Sequence, residues 1–326
     1  MNIKMAYLHG VLKEEIYMEQ PEAFVAKGED NKVCKLVHSL YRLKQAGQVW
    51  NRNFANTIKK KLSFKTIHSD VGVYVLCQQQ GGNTKIILIL YVDDLLLLGE
   101  DQSKIEDIKC QLGILYHMKD LGPASSYLGI QITRDHKSRS IWIDQEVYID
   151  NALKRFKLQD ANNNKTLLPA SLHLEEYEGM ATTETKTQFQ QMIGTLIYTA
   201  IGTRPNIAFA ATRLSQFNNN PSDLHVKHAK HALRYLRGTK DLHIKYDGSS
   251  NARLIRYSDS DWGENRDDHH STSGHVFLMA NGCISWTSQQ QKTIALSVGE
   301  AEYMELASTT GCLAKIHQWR NGVSHT

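Results

Sequence analysis

The chain has 326 residues, of which 41% are hydrophobic, 22% are charged and only 5 are proline. This composition excludes a disordered or collagen-like chain, and at about 150 residues per domain the length predicts two linked domains. The 38 lysines and arginines exceed the 34 aspartates and glutamates and leave a net charge of +4. That balance permits an anionic partner such as nucleic acid without indicating a basic tail.

The cysteines and the apolar stretches indicate which cellular compartment suits the protein. The five cysteines are widely spaced and form no C-x-x-C pair, which favours a reducing, intracellular environment over a disulfide scaffold or a zinc site. The N-terminal residues contain no apolar run behind a basic end. The most apolar stretch, 86–98, contains two aspartates and is shorter than the roughly 18 residues of a membrane span. We therefore expect neither export nor membrane insertion.

The first 120 residues alternate short apolar runs with polar loops, which indicates mixed α and β structure. The four-residue spacing of Trp50, Phe54 and Ile58 predicts a helix, and short apolar runs around the turn signal 81–83 predict two strands. The elements predicted in this region are a helix over 36–61 and strands over 73–77 and 85–91.

From 121 to 245 the pattern is mainly helical, with a polar linker or exposed loop over 160–187. The clearest helix follows Asn220, with Pro221 suited to its first position and Gly238 to its end. Its apolar face comprises Val226, Ala229, Leu233 and Leu236. The opposite face has cations at helical spacing that would follow phosphates or form an ordinary solvated surface. These are Lys227, Lys230, His231, Arg234 and Arg237.

Strands return from about residue 254 and precede a helix that opens near Val298. The predicted strands are 254–257, 275–279, 284–286 and 293–296.

The sharpest chemical signal is the run Tyr-Val-Asp-Asp at 91–94, which apolar residues flank on both sides. Two adjacent carboxylates between buried strands repel each other and resist desolvation unless a cation or water screens them. An ordinary acidic hairpin turn is the alternative, although the run lacks the Gly or Asn that a two-residue turn prefers. The pattern favours a divalent-metal site, and a two-metal site of this kind serves phosphoryl transfer.

Further motifs follow one another nearly end to end. They are K-M-A-Y-L-H-G-V-L-K-E-E-I-Y-M-E-Q-P at 4–21, S-L-Y-R-L-K-Q-A at 39–46, M-K-D-L-G-P at 118–123, Y-L-G-I-Q-I at 127–132, T-R-P-N-I-A at 203–208, L-R-Y-L-R-G-T at 233–239, and Y-S-D-S-D-W with S-T-S-G within 257–274. In this order and spacing, together with the run at 91–94, they resemble the reverse transcriptase and ribonuclease H portion of copia-type retrotransposon Pol polyproteins.

The resemblance implies an α+β fold in three regions. A polymerase palm-like sheet with helices is expected over 1–120, a mainly helical thumb and connection over 121–245, and a partial ribonuclease H-like α/β domain over 246–326. The fingers half of the family fold and the last ribonuclease H carboxylates are expected to be missing from this sequence.

The activity implied is that of an RNA-directed DNA polymerase joined to a ribonuclease H, with Mg²⁺ or Mn²⁺ as cofactor. The partners implied are an RNA or DNA template–primer and deoxynucleotides, with other parts of Pol as further candidates and no membrane. The expected location is inside the cell, in a cytoplasmic particle or in the nucleus.

The resemblance also implies residue roles. Asp93 and Asp94 match the polymerase aspartate pair, with Asp93 the expected direct metal ligand. Tyr7 falls where the family keeps an aromatic ring beneath the sugar, and Lys44 falls where it lines the nucleotide pocket. From the residues alone, a core position is favoured for Tyr7, whereas Lys44 equally suits a surface position at a helix start.

The ribonuclease H match assigns Asp259 and Glu302 as the first two metal ligands, although Glu302 alone would suit an exposed helix face. The run 127–132 resembles the strand pair that holds the primer end, and it would also suit any half-buried strand.

Three positions depart from the family pattern. Asn2 stands where the family has an aspartate that is the other essential polymerase metal ligand, while Arg42 replaces a glycine and Gly47 a proline. An amide oxygen is neutral and binds hard cations less strongly than a carboxylate, so we expect impaired polymerase chemistry. A non-catalytic, nucleic-acid-binding retroelement remnant is therefore the alternative.

Overall fold

The computed structural model describes residues 1–25, 28–29, 31–67, 69–78, 84–169, 174–249, 253–263 and 268–324. The chain divides into two compact units, one of Met1–Ala124 with Ala314–Thr326 and one of Ser125–Leu313. Both units contain helices and sheets, so the predicted α+β class is confirmed, while the roles assigned to the three regions stay predictions. The division after Ala124 lies close to the predicted boundary at 120, whereas the boundary at 245 falls inside a strand.

The first unit is built on an antiparallel sheet of six strands beside two helices. Its strands are β1 (Asn2–Ile3), β2 (Tyr17–Glu19), β3 (Val33–Lys35), β4 (Lys65–Thr66), β5 (Val73–Gln78), β6 (Thr84–Tyr91), β7 (Asp94–Gly99) and β8 (Met118–Lys119), and its helices are α1 (Ala46–Leu62) and α2 (Gln102–Leu115). The sheet has the order β4-β5-β6-β7-β1-β8, and β2 and β3 form a separate hairpin. The predicted strands at 73–77 and 85–91 are confirmed as β5 and β6, and the turn signal 81–83 lies outside the described residues.

Helix α1 confirms the predicted spacing but not the predicted start. Trp50, Phe54 and Ile58 are buried in the core of this unit, as their spacing requires. The predicted start at 36 is wrong, because residues 36–45 form turns and an isolated bridge before the helix begins at Ala46. Within these turns Arg42 has a φ of +74°, a left-handed conformation that a right-handed helix cannot contain.

The second unit combines two sheets with a helical core. Its elements are β9 (Ser126–Tyr127), β10 (Ile130–Asp135), β11 (Ser140–Asp144), α3 (Glu146–Arg155), α4 (Thr183–Gly202), α5 (Ala208–Ser215), α6 (Asp223–Gly238), β12 (Ile244–Asp247), β13 (Ile255–Ser260), β14 (Thr272–Met279), β15 (Gly282–Gln290) and α7 (Val298–Ser324), the last of which continues into the first unit. The sheets have the orders β12-β11-β10-β9 and β13-β14-β15, and the main hydrophobic cluster joins α4 and α6.

Two predictions for 121–245 need correction. The region is mainly helical only from Glu146, because 126–144 forms the antiparallel strands β9 to β11. Helix α6 exists and buries its predicted apolar face. However, Pro221 lies before the helix, because Ser222 is the N-cap and accepts a hydrogen bond from the backbone N–H of His225.

The last region has three of its four predicted strands. Those at 275–279 and 284–286 are confirmed within β14 and β15, and the one at 254–257 is confirmed as β13, which begins one residue later at Ile255. The strand predicted at 293–296 is wrong, because this segment forms the entry to α7. The Glu300 carboxylate accepts from the Leu296 N–H at 2.7 Å, and the Ser297 hydroxyl accepts from the Glu300 N–H at 3.2 Å, so helix capping takes the polar groups that a strand would pair.

Within the described residues, no helix is both long and apolar enough to cross a membrane.

Candidate polymerase site

The run at 91–94 forms a hairpin with a strained turn. Tyr91 of β6 pairs with Asp94 of β7, which leaves Val92 and Asp93 as the connecting residues. Val92 has a φ of +55°, where a β-branched residue costs about 1–3 kcal/mol. The Trp50 indole N–H donates to the Val92 carbonyl at 2.6 Å, and the Ile3 N–H donates to the Asp93 carbonyl at 2.7 Å. A core side chain and a neighbouring strand therefore hold this turn in place.

Asn2 lies directly beside the two carboxylates. Strand β1 pairs with β7 so that Asn2 is opposite Asp94. The Asn2 side-chain amide donates to Asp94 Oδ1 at 3.0 Å and to Asp93 Oδ2 at 3.4 Å, and all three residues are half-buried. An amide N–H₂ has two donors and an ionised carboxylate only acceptors. The amide therefore offsets part of the repulsion between the two aspartates.

Tyr7 belongs to an aromatic pair at the same site. It lies in the 3₁₀ helix Ala6–His9, is half-buried, and has its ring centroid 4.6 Å from that of Tyr41. A Cβ on Gly47 would lie 3.8 Å from the Tyr7 hydroxyl oxygen, which is ordinary contact. Burial raises the pKa of the Tyr41 hydroxyl, and the negative charge of Asp93 raises that pKa further. The aromatic pair is thus close enough to Asp93 to respond to its charge.

Lys44, the other predicted nucleotide contact, has no described contact with the residues around the turn. It is exposed in the turn that precedes α1, and no described contact joins it to Tyr7 or to the two aspartates.

The region predicted to resemble ribonuclease H places its two candidate carboxylates, Asp259 and Glu302, on a strand and on a helix. On β13, Asp259 is opposite Gly274 and the adjacent Ser258 is opposite His275. Successive residues of a strand point to opposite faces of the sheet. The His275 ring contacts the Glu305 carboxylate of α7 at 3.0 Å. The Asp259 side chain therefore leaves the sheet on the face opposite to the one that contacts α7.

Glu302 lies on α7 but not on its buried face. That face consists of Ala301, Glu305 and Thr309, whereas Glu302 is exposed. No described contact joins Asp259 to Glu302, and both side chains are exposed. The nearby Asp261 carboxylate accepts from the Thr272 N–H at 3.0 Å and so caps the strand pair.

The predicted cation row on α6 has internal contacts. The Arg234 Nε–H donates to the Asn162 carbonyl and the Arg237 Nε–H to the Gln159 carbonyl, each at 2.6 Å. The bond to Asn162 attaches α6 to the segment 160–187, which was predicted as a linker or exposed loop. Because carbonyl oxygens are neutral, both guanidinium charges remain uncompensated there. Lys227 is exposed and Lys230 is half-buried.

Among the described residues, no group of three or more His, Cys, Asp or Glu side chains is arranged to hold a metal ion. The turn thus supplies two carboxylates beside the Asn2 amide.

Comparison with known proteins assigns the family. Residues 1–170 match the family model described as reverse transcriptase (RNA-dependent DNA polymerase). The chain belongs to this reverse transcriptase family. Over 95% of its length it is 41% identical to the retrovirus-related Pol polyprotein from transposon TNT 1-94 of Nicotiana tabacum. Over 95% of its length it is also 34% identical to the retrovirus-related Pol polyprotein from transposon RE1 of Arabidopsis thaliana. The resemblance to copia-type Pol polyproteins is therefore confirmed.

This reverse transcriptase family member corresponds to only part of the larger relatives. The chain covers 23% of the Nicotiana tabacum polyprotein and 21% of the Arabidopsis thaliana polyprotein. By contrast, it covers 99% of a Ty5-1 transposon protein of Saccharomyces cerevisiae, with 32% identity.

Sequence reasoning did not single out two residues, Trp50 and Tyr41, as belonging to the candidate site. Trp50 was used only for its helical spacing, yet its indole N–H donates a hydrogen bond to the Val92 carbonyl. Tyr41 lies inside the motif at 39–46 but was not singled out, although its ring packs on Tyr7. Its only sequence signal was an aromatic residue within that motif.

Proposed function

We propose that this reverse transcriptase family member binds an RNA or DNA template–primer and deoxynucleotides at the Tyr91–Asp94 turn and carries out RNA-directed DNA synthesis that Asn2 slows. The observation that carries the proposal is the hydrogen bonding of the Asn2 amide to both Asp93 and Asp94. Residues from two separate motifs meet there at one end of a strand pair. An acidic site at such a position suits phosphoryl transfer because it needs metal ligands on a rigid support.

The residues at the turn fit one Mg²⁺ or Mn²⁺ ion. Asp93 and Asp94 offer the hard oxygen ligands that these ions prefer, and Mg²⁺ is commonly held by one or two carboxylates together with substrate phosphates. When bound, the ion would neutralise phosphate charge and lower the pKa of the attacking 3′-hydroxyl. A second ion would lack a third carboxylate, because Asn2 stands where the family has aspartate.

Asn2 therefore has two opposing effects in this proposal. Its amide donors stabilise the ionised carboxylates by satisfying acceptors that would otherwise repel each other. Its neutral oxygen, however, supplies no charge to a metal or to the developing charge of the transition state. Loss of one preorganised electrostatic group commonly lowers a catalytic rate by about 100-fold or more.

Tyr7 and Lys44 have unequal support as nucleotide contacts. Tyr7 is held against Tyr41 beside Asp93, a position from which its ring would pack beneath the sugar of an incoming deoxynucleotide. Lys44 would reach triphosphate charge as a flexible cation. Its support is weaker, because only its exposure near the start of α1 favours it.

A ribonuclease H activity of the last region also has weaker support. Two metal ions need carboxylates that converge on one phosphodiester, whereas Asp259 and the helix-contacting His275 occupy opposite faces of the sheet. The proposal therefore rests on the polymerase turn alone.

A non-catalytic role in nucleic-acid binding is the second candidate. The Asn2 amide favours it, because a neutral donor partners the two carboxylates without a cation. Under this proposal the chain would hold template–primer, with or without other parts of Pol, inside the cell in a cytoplasmic particle or in the nucleus. The cations Lys227, Lys230, Arg234 and Arg237 would add to that binding.

Primer extension on an RNA template with Mg²⁺ separates the two candidates. We expect Asn2→Asp to raise the extension rate of the 326-residue chain by about 100-fold. The matched control carries Asn2→Asp with Asp94→Asn and should lose that gain. Equal, robust extension by the wild-type chain and Asn2→Asp would contradict the role given to Asn2. No extension by either chain, with template–primer binding retained, would favour the non-catalytic candidate.

A further inference from the structure

A groove of about 380 Å³ lies along the outward face of α1 in the first unit. One wall is formed by Gln45 and by α1 as far as Lys61, and the other is the loop that contains Val11, Lys13 and Glu14. This face is distinct from the one that buries Trp50 in the core. The groove is therefore a surface feature that the core does not require.

Its lining is strongly cationic. Four positively charged side chains face a single carboxylate, that of Glu14. The cations are Lys13, Arg52, Lys60 and Lys61. All four are exposed, and no ion pair or side-chain hydrogen bond joins them to other described residues. Like charges gathered on one surface repel one another, which an anionic ligand would relieve.

We infer that this groove binds the sugar–phosphate backbone of one nucleic-acid strand, independently of its sequence. At 1.5 Å per helical residue, Gln45 to Lys61 spans about 24 Å, which is long enough for the four cations to contact successive phosphates of one strand. The inference deepens the proposed function, on which it rests for the identity of the strand as template–primer.

The groove's polar lining favours nucleic acid over an acidic peptide. Besides the cations it contains the amides of Gln45, Gln48 and Asn56, which both donate and accept, as contacts to sugar hydroxyls and phosphates require. It contains no aromatic side chain on which bases would stack, so contacts to the backbone are expected rather than contacts to bases. Its Gln45 end also adjoins Gly47, where an added Cβ would lie 3.8 Å from the Tyr7 hydroxyl oxygen.

Binding tests the inference without catalysis. The ligand is a labelled RNA–DNA heteroduplex of about 20 base pairs, and anisotropy is read in EDTA across a salt series. The groove variant replaces Lys13, Arg52, Lys60 and Lys61 by glutamine. The control replaces four other exposed lysines by glutamine and therefore changes the net charge equally; they are Lys59, Lys119, Lys137 and Lys154.

The groove variant should weaken affinity by about 10- to 100-fold near 0.1 M salt. It should also lower the slope of log K against log salt by about 3.6, since each of four lost phosphate contacts removes about 0.9. The control should change affinity by less than about threefold. Equal losses in both variants would overturn the inference, because only net charge would then matter. Stronger competition by polyglutamate than by unlabelled heteroduplex would overturn it in favour of an acidic peptide.

Lysine acetylation of the wild-type chain gives a second readout that needs no variant to fold. Heteroduplex should protect the amines of Lys13, Lys60 and Lys61 and leave Lys59 reactive. Unchanged reactivity of those three amines would contradict the inference. Neither binding assay needs metal or nucleotide. The inference about the groove can therefore be wrong while Asn2→Asp still raises primer extension, and the groove can bind heteroduplex while Asn2→Asp has no effect.

Discussion

The acidic residues assigned to the polymerase site come from one turn, whereas those assigned to the ribonuclease H site come from two distant elements. At the Tyr91–Asp94 turn, strand register alone brings Asn2 within hydrogen-bonding distance of both carboxylates. In the second unit, Asp259 and Glu302 depend on a strand face and a helix face that do not coincide. Carboxylates adjacent in sequence are fixed by one turn. A pair from distant elements meets only if the side-chain alternation of the strand agrees with the packing of the helix.

The acidic residue that α7 does direct inward is Glu305, and its removal should have the largest effect. Glu305→Ala would leave His275 and Thr309 buried without their carboxylate partner, so we expect the free energy of unfolding to fall by about 3–5 kcal/mol. Urea denaturation measures the change. Glu302→Ala, on the same helix, should stay within about 0.5 kcal/mol. Similar losses in both variants would show that the faces of α7 are wrongly assigned.

Metal binding directly compares the two acidic regions. In an Asn2→Asp background, Asp94→Asn should weaken Mn²⁺ binding by at least about 10-fold, because it removes a ligand from an assembled site. Asp259→Asn in the same background should leave that affinity within about twofold. Titration of free Mn²⁺ by electron paramagnetic resonance gives both values. An equal loss in the two variants would mean that Asp259 belongs to a metal site after all.

The cations of α6 extend the comparison from acidic to basic residues. Arg237→Ala removes the hydrogen bond to Gln159 and one to Asn163, so the free energy of unfolding should fall by about 1–2 kcal/mol. Lys227→Ala removes a charge from the same helix at an exposed position and should change it by less than about 0.5 kcal/mol. Thermal denaturation of both variants tests this difference. If Lys227→Ala lowered the free energy of unfolding and Arg237→Ala did not, the contacts assigned to these two side chains of α6 would be wrong.

The sequence predicted those features of the fold that depend on neighbouring residues in the chain. Apolar runs on both sides of Asp93 and Asp94 were enough for the hairpin, and four-residue spacing was enough for the buried faces of α1 and α6. The side chain that holds Val92, the face of Asp259 and the loop contacts of Arg234 depend on residues far away in the chain. A single sequence does not contain that pairing information. The strand predicted at 293–296 failed because capping of α7 competes for the same backbone groups.

The smallest expected effect concerns Arg42, a second departure from the family pattern in the first unit. The resemblance places a glycine at this position, and Arg42 has a φ of +74°, where a residue other than glycine costs about 1–2 kcal/mol. Arg42→Gly should relieve that strain but gain backbone freedom in the unfolded chain. The net result should be a rise of about 0.5–1 kcal/mol in the free energy of unfolding.

The control for this prediction is Arg42→Ala, which removes the guanidinium but keeps a Cβ in the left-handed region. Urea denaturation of the two variants should place the alanine variant level with the wild-type chain and the glycine variant above both. If both variants were equally destabilised, the Arg42 side chain would be making a stabilising contact that outweighs its backbone strain. The first unit would then have adapted to its departures from the family pattern, and Asn2 would have to be tested for the same kind of compensation.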